Sequence, residues 1–157
     1  MLIRSATPAD IPVMIGLEQQ CVTAAHWTEE QYRQVFQPGS ATGVVLVAES
    51  PVTPASRPDT VGEVVGFLVA RHLAAEWELE NIVVAPTARR QGLGKRLLDA
   101  LFSVARETNG GSVFLEVRES SAAARTLYER AGFEQTGRRK GYYTDPVEDA
   151  VLYRCAL

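Results

Sequence analysis

Cysteine is nearly absent from this chain: Cys21 and Cys155 stand near opposite ends of 157 residues, with no histidine or second cysteine beside either. That spacing excludes a recognisable zinc motif or disulfide framework and fits two reduced thiols, with no metal expected. A basic excess is missing too. Sixteen Lys plus Arg against nineteen Asp plus Glu leave a net charge of -3, whereas a nucleic-acid binder needs cations to neutralise phosphates. No apolar run approaches the roughly 20 residues that span a bilayer, and Met1-Leu-Ile-Arg-Ser-Ala-Thr-Pro8 has no basic-then-apolar leader. Repeats and low-complexity tracts are lacking as well. These absences predict a cytoplasmic protein without nucleic-acid or membrane partners; it is expected to be a monomer or homodimer. With 46% hydrophobic and 22% charged residues, the chain reads as one globular domain over 1–157.

Within it, Leu2 to Ser5 reads as a strand, and Thr7-Pro8-Ala9-Asp10 opens a helix with a capping threonine, an N-terminal proline and an acid near the positive end. Ile11, Met14, Ile15, Leu17 and Cys21 give that helix one apolar stripe. Thr28 with Gln31 forms a capping box for a second helix, whose buried side is Tyr32, Val35 and Phe36 and which stops at Pro38-Gly39. Strands follow at Val44 to Ala48, Val61 to Arg71 (with Gly62 and Gly66 as weak points) and Trp77 to Val84. The loop from Glu49 to Thr60 between the first two carries Pro51, Pro54 and Pro58. Leu93, Leu97, Leu98, Leu101 and Val104 mark a strongly periodic helix from Gly92 to Asn109, closed by Gly110-Gly111. A strand at Ser112 to Arg118, a helix at Ser121 to Ala131 closed by Gly132, and strands at Phe133 to Tyr143 and Ala150 to Ala156 complete the chain. The order βααβββαβαββ requires a parallel crossover in the second half and antiparallel neighbours in the first, hence a mixed sheet.

One segment carries chemistry. Arg89-Arg90-Gln91-Gly92-Leu93-Gly94-Lys95 follows a strand and opens a helix, where unpaired backbone N–H groups and the helix dipole favour an anion. Gly92 and Gly94 let the backbone approach closely, and Arg89, Arg90 and Lys95 add fixed positive charge, so a diphosphate fits. The pattern matches neither rival nucleotide motif: Arg96 stands where a P-loop needs Ser or Thr, and no third glycine completes a dinucleotide fingerprint.

Val84-x-Pro86 followed by Arg89-x-x-Gly92-x-Gly94 resembles the acetyl-coenzyme A signature of the GNAT-type N-acetyltransferases, whose element order is the one read above. Leu115-Glu-Val-Arg118, Ala122-Ala-Ala124, Leu127-Tyr-Glu129, Gly132-Phe133, Tyr142-Tyr143 and Glu148-Asp149-Ala150 are similar to the subgroup that acetylates protein amino termini, the bacterial ribosomal-protein alanine N-acetyltransferases. The resemblance covers nearly the whole chain and implies an α/β fold with a mostly antiparallel central sheet and one splayed parallel pair. It also implies acetyl-coenzyme A as cosubstrate and the amino terminus of a protein, a ribosomal protein among them, as acceptor.

By residue, the resemblance implies that the coenzyme's pantetheine arm pairs with the main chain of Ile82, Val83 and Val84, and that the loop of Arg90, Gln91, Gly92, Leu93, Gly94 and Lys95 holds its pyrophosphate, with Arg89 a further coenzyme-binding residue beside it. Ser121 stands where the subgroup carries Asn, in the coenzyme contact region, with a shorter reach. Glu116 is implied as the base that takes the amine's proton, and Tyr128 as the acid that protonates the departing thiolate. Read from the residues alone, Glu116 is equally a surface glutamate paired with Arg118, and Tyr128 an aromatic core residue. Glu78, on one strand face with Glu80, competes with Glu116 for the base. His26-Trp27-Thr28 resembles a substrate-groove segment with His in place of Pro, Trp27 serving alternatively as core. Two other functions fit the same residues: acetylation of a small-molecule amine or lysine, and a non-catalytic acyl-coenzyme A binding module.

Overall fold

A computed structural model describes residues 1–21, 24–38, 43–52 and 62–157. Among the described residues, seven strands form one sheet in the order β1-β2-β3-β4-β5-β7-β6. They are β1 (Leu2–Ser5), β2 (Gly43–Glu49), β3 (Val64–Leu73), β4 (Glu76–Val84), β5 (Ser112–Arg118), β6 (Glu134–Thr144) and β7 (Val147–Ala156). Every neighbouring pair is antiparallel except β4–β5, which are joined through α3. The helices are α1 (Ile11–Gln19), α2 (Glu29–Val35), α3 (Leu93–Glu107) and α4 (Ala122–Arg130). Order and mixed sheet are as the sequence predicts. Gly39, Val61 and the Pro54 and Pro58 part of the loop lie outside the described residues.

Local chemistry accounts for the element ends. Thr28 Oγ1 accepts from Gln31 N–H at 3.2 Å while Gln31 Oε1 takes Thr28 N–H at 2.8 Å, the reciprocal box read from the sequence. Ahead of α1, Pro8–Asp10 forms one 3-10 turn in which Asp10 accepts from Thr7 N–H at 2.8 Å. β7 starts at Val147 rather than Ala150, because Thr144 pairs with Val147 and the polar Glu148 is spent on the Arg118 guanidinium and Ser120 N–H.

Helices cover both sides of the sheet. α1 and α2 lie on the face of Phe67, whose ring meets the buried Tyr32 edge-on at 6.1 Å. α3 lies on the opposite face, so close that a Cβ on Gly66 would meet Leu93 at 3.3 Å and Leu97 at 3.7 Å. α4 shares that second face, with the Tyr128 ring 5.7 Å from Phe133 and 6.3 Å from Tyr153.

Two irregularities break the regularity of the sheet around β4. The β3–β4 register shifts between Val69, opposite Asn81, and Ala70, opposite Leu79, so Glu80 is an extra residue on β4. β4 and β5 pair only at Glu76–Ser112, Trp77–Val113 and Glu78–Phe114. Beyond these, β4 runs on to Val84 and β5 to Arg118 without a partner between them.

Candidate active site

The splay leaves part of β4 with an open edge. Ala85 N–H donates to Val65 O at 2.8 Å, which fixes the alternation along the strand. The N–H and C=O of Val83 turn to β3, and those of Ile82 and Val84 turn into the gap. Of the three residues expected to pair with an extended ligand, Val83 therefore has its main chain already committed. Arg89 Nε donates to the gap-facing Val84 carbonyl at 3.2 Å.

At the mouth of the gap, α3 begins on Gly92 at φ +74, a conformation that costs a side-chain-bearing residue. The first intrahelical bond runs from Arg96 N–H to Gly92 O at 3.1 Å, so the N–H groups of Leu93, Gly94 and Lys95 precede the ladder. Arg89, Arg90, Gln91 and Lys95 are exposed, whereas the Leu93 side chain is buried and has only its main chain to offer. Gly94 serves packing: a Cβ there would lie 2.9 Å from Leu127 Cδ2, so its smallness brings α3 against α4. Lys95 pairs with Asp99 at 2.7 Å along the helix. Ser121 is buried at the start of α4 and makes no side-chain capping bond.

On the α1/α2 face of the gap stand three carboxylates. Glu78 lies opposite Arg71 and Phe114 in register, and Glu116, two residues past Phe114, shares its face. Arg71 bridges Glu78 at 3.0 Å and Glu80 at 3.2 Å. Burial raises the Glu80 carboxyl above its ordinary range, against the pull of Arg71. A pocket of about 320 Å³ adjoins them, lined by Arg71, Glu80, Trp27, Gln31 and Gln34. Trp27 is half-buried, its ring 5.3 Å from Tyr32, so it both packs on the core and borders this pocket.

Glu116 is not paired with Arg118. Its partner is Arg139 of β6, at 2.8 Å, and the Tyr142 hydroxyl hydrogen-bonds to it as well, an anionic neighbour that raises the Tyr142 phenol. Arg118 turns instead to Glu148 at 3.3 Å and lies 4.2 Å over the Tyr143 ring. The cause is a slip in the β6–β7 register between Arg139 and Tyr143, with Gly141 at φ +61, which swings this part of β6 over Glu116.

Tyr128 lies on the other face of the sheet from Glu116. Tyr153, against which it packs, is opposite Leu115 and so faces away from Glu116. Burial pushes the Tyr128 phenol well above the ordinary value, with lesser contributions from Tyr143 and Cys21 nearby. Its surroundings are those of a core member, 6% exposed and packed on Phe133 and Tyr153.

A family model described as Acetyltransferase (GNAT) family matches residues 16–133. The chain belongs to the GNAT acetyltransferase family. One curated GNAT relative, the [ribosomal protein bS18]-alanine N-acetyltransferase of Escherichia coli K12, is 40% identical over 93 residues, 58% of this chain and 63% of the relative. The chain thus spans less than two thirds of that relative's length in the match. N-alpha-acetyltransferase RimI of Mycobacterium tuberculosis is 42% identical over 79 residues, 50% of this chain and 48% of the relative. The crystal structure of the Escherichia coli ribosomal-protein-S18-alanine N-acetyltransferase superposes with a TM-score of 0.76 at 30% identity, covering 99% of this chain and 92% of that one.

Sequence reading overlooked one cluster in this GNAT domain. Glu18, 1% exposed, accepts from the Tyr32 hydroxyl and from Asn81 Nδ2 at 2.5 Å, with Trp27 N–H as a further donor. The apolar stripe of α1 passes through Leu17 and gave no sign of a carboxylate turned inward beside it.

Proposed function

We propose that this protein is an acetyl-coenzyme A dependent N-acetyltransferase, one domain over 1–157, acting on a protein amino terminus such as that of a ribosomal protein. The observation that carries the reading is the gap itself: an unpaired edge of β4, an anion-favouring helix start at its mouth, and Glu116 and Tyr128 on its two sides. The residues fit the coenzyme. The outward groups of Ile82 and Val84 would take the amide arm as an added strand, and the N–H groups of Leu93, Gly94 and Lys95 with Arg89, Arg90 and Gln91 would take the diphosphate. Bound there, the coenzyme supplies an acetyl group activated as a thioester.

Glu116 takes the proton from the acceptor's amine as its nitrogen attacks the thioester carbon. Tyr128, protonated throughout the neutral range, gives its proton to the departing sulfur. Glu78 is tied to Arg71 and, in this reading, is not the base. The named activities of the relatives support an α-amine acceptor, and so does elementary acidity. An α-amine with pKa about 7.7–8.0 is roughly a tenth neutral at pH 7, a lysine near 10.4 far less. The test pairs peptides: one with a free N-terminal alanine, and the same peptide blocked at its terminus with a free internal lysine. Faster acetylation of the first is expected, and equal rates, or turnover of free small amines alone, would overturn the acceptor assignment.

A further inference from the structure

Each of the three carboxylates beside the gap has an arginine, but the arginines are not held alike. Arg71 stands on β3 inside the sheet and serves both Glu78 and Glu80. Arg139 stands on β6, the outermost strand, and bridges Glu116 at 2.8 Å. Its side chain is 57% exposed, against 21% for Glu116.

The local backbone sets this arrangement. Arg139 is opposite Ala150 and Tyr143 is opposite Glu148, so four steps along β6 are matched by two along β7. The surplus folds over at Gly141, whose N–H is held by Asp149 Oδ1 at 2.9 Å. Arg139 then lies 5.7 Å over the Tyr142 ring, and both reach Glu116. A guanidinium keeps its proton at every working pH, so whatever cation approaches Glu116 must compete with it. An exposed ion pair is weak and exchanges readily; Arg71, 43% exposed, differs in that it would have to leave two carboxylates at once.

We propose that Arg139 is a displaceable counter-ion of Glu116: its guanidinium occupies the place of the acceptor's α-ammonium and gives it up when the acceptor docks. This role rests on Glu116 as the base. Arg139 is a positioning residue in this scheme, since it touches Glu116 and leaves before chemistry. It holds the carboxylate in place on the face of β5, with the Tyr142 hydroxyl as the neighbour that stays through the exchange. It also makes recognition depend on charge, because a neutral terminus, such as an acetylated one, brings no cation to replace it.

The experiment uses the full chain with saturating acetyl-coenzyme A and a peptide with a free N-terminal alanine. Arg139→Gln removes the competitor, and KM for the peptide is expected to fall about two- to fivefold, the range of an exposed ion pair. Arg139→Lys, which retains a competing cation, should restore most of the original KM. In a Glu116→Gln background the Arg139→Gln change should leave KM where it was. A KM that rises in Arg139→Gln would show that the guanidinium holds the peptide, and an unmoved KM would make it a bystander; either overturns the exchange. Wild-type turnover in Glu116→Gln would instead overturn the base assignment. A second readout needs no turnover: the Arg139 Nε–H resonance, assigned by its loss in Arg139→Lys, should shift on saturation with alaninamide and not with N-acetylalaninamide. A resonance indifferent to alaninamide also refutes the exchange.

Discussion

The Glu18 carboxylate and the Asn81 amide, 63 residues apart in the chain, meet at 2.5 Å in the interior. With Tyr32 and Trp27 as further donors, this contact ties α1, α2 and their connection to the residue just before the open edge of β4. Loss of one buried partner leaves the others unsatisfied, at about 1–3 kcal/mol.

The same group gives stability a pH dependence. Burial raises the Glu18 carboxyl above its ordinary 4.5, so the folded protein binds its proton more tightly than the unfolded chain. Its contribution is therefore greatest below about 4.5 and declines as pH rises through the raised value. Glu18→Gln has no such decline. Its deficit in Tm relative to wild type should be largest near pH 4 and narrow toward pH 8 in thermal denaturation; a deficit that widens with pH would contradict the raised value.

Opposite placement of Glu116 and Tyr128 predicts separable defects. Tyr128→Phe keeps the ring contacts with Phe133 and Tyr153 and removes the proton, so kcat should drop by roughly 100- to 10,000-fold with coenzyme affinity nearly unchanged. Glu116→Gln should also slow turnover, with partial recovery at high pH where the amine deprotonates unaided. Glu78→Gln, whose loss frees Arg71 for Glu80, should keep a pH profile near wild type. A pH-rescued defect at Glu78 with none at Glu116 would move the base to β4.

At the helix start, Gly92→Val forces a β-branched residue to φ +74 in otherwise open space. The fold should lose about 1–2 kcal/mol, and the rise in Tm produced by acetyl-coenzyme A should largely disappear. A folded variant with unchanged coenzyme affinity would place the diphosphate elsewhere.

Gly110→Ala tests packing alone. The added Cβ would lie 2.8 Å from the Trp77 ring and 2.9 Å from the Ala105 carbonyl, neither of which yields cheaply. A loss of about 1–3 kcal/mol is expected, or several degrees in Tm, with acetyl-coenzyme A still bound by the remaining folded protein.

Elements were legible where their signals are local. The Thr28–Gln31 box, the bounds of β1 and β5 and the periodic α3 depend on residues a few positions apart, and the glycine loop carried its own chemistry. What stayed hidden depends on register. That Glu116 meets Arg139 rather than Arg118 follows from a two-residue slip near Gly141, and that Val83 faces β3 follows from an alternation counted from Ala85. The inward turn of Glu18 needed partners from α2 and β4 before it made sense as anything but surface. Gly94, read as an approach for phosphate, is also a seat for Leu127.

Because the alternation on β4 sends Val83 to β3 and its neighbours into the gap, the three amides should age differently in heavy water. Val83 is locked in the ladder whether or not a ligand is present, so its deuteron uptake should be slow in both states. Ile82 and Val84 lack that lock, and their uptake should be fast in the free protein and slow once an extended ligand lies along the edge. A strand read residue by residue in this way would report occupancy of the gap as a slow–slow–slow pattern replacing fast–slow–fast, with no need to observe the reaction.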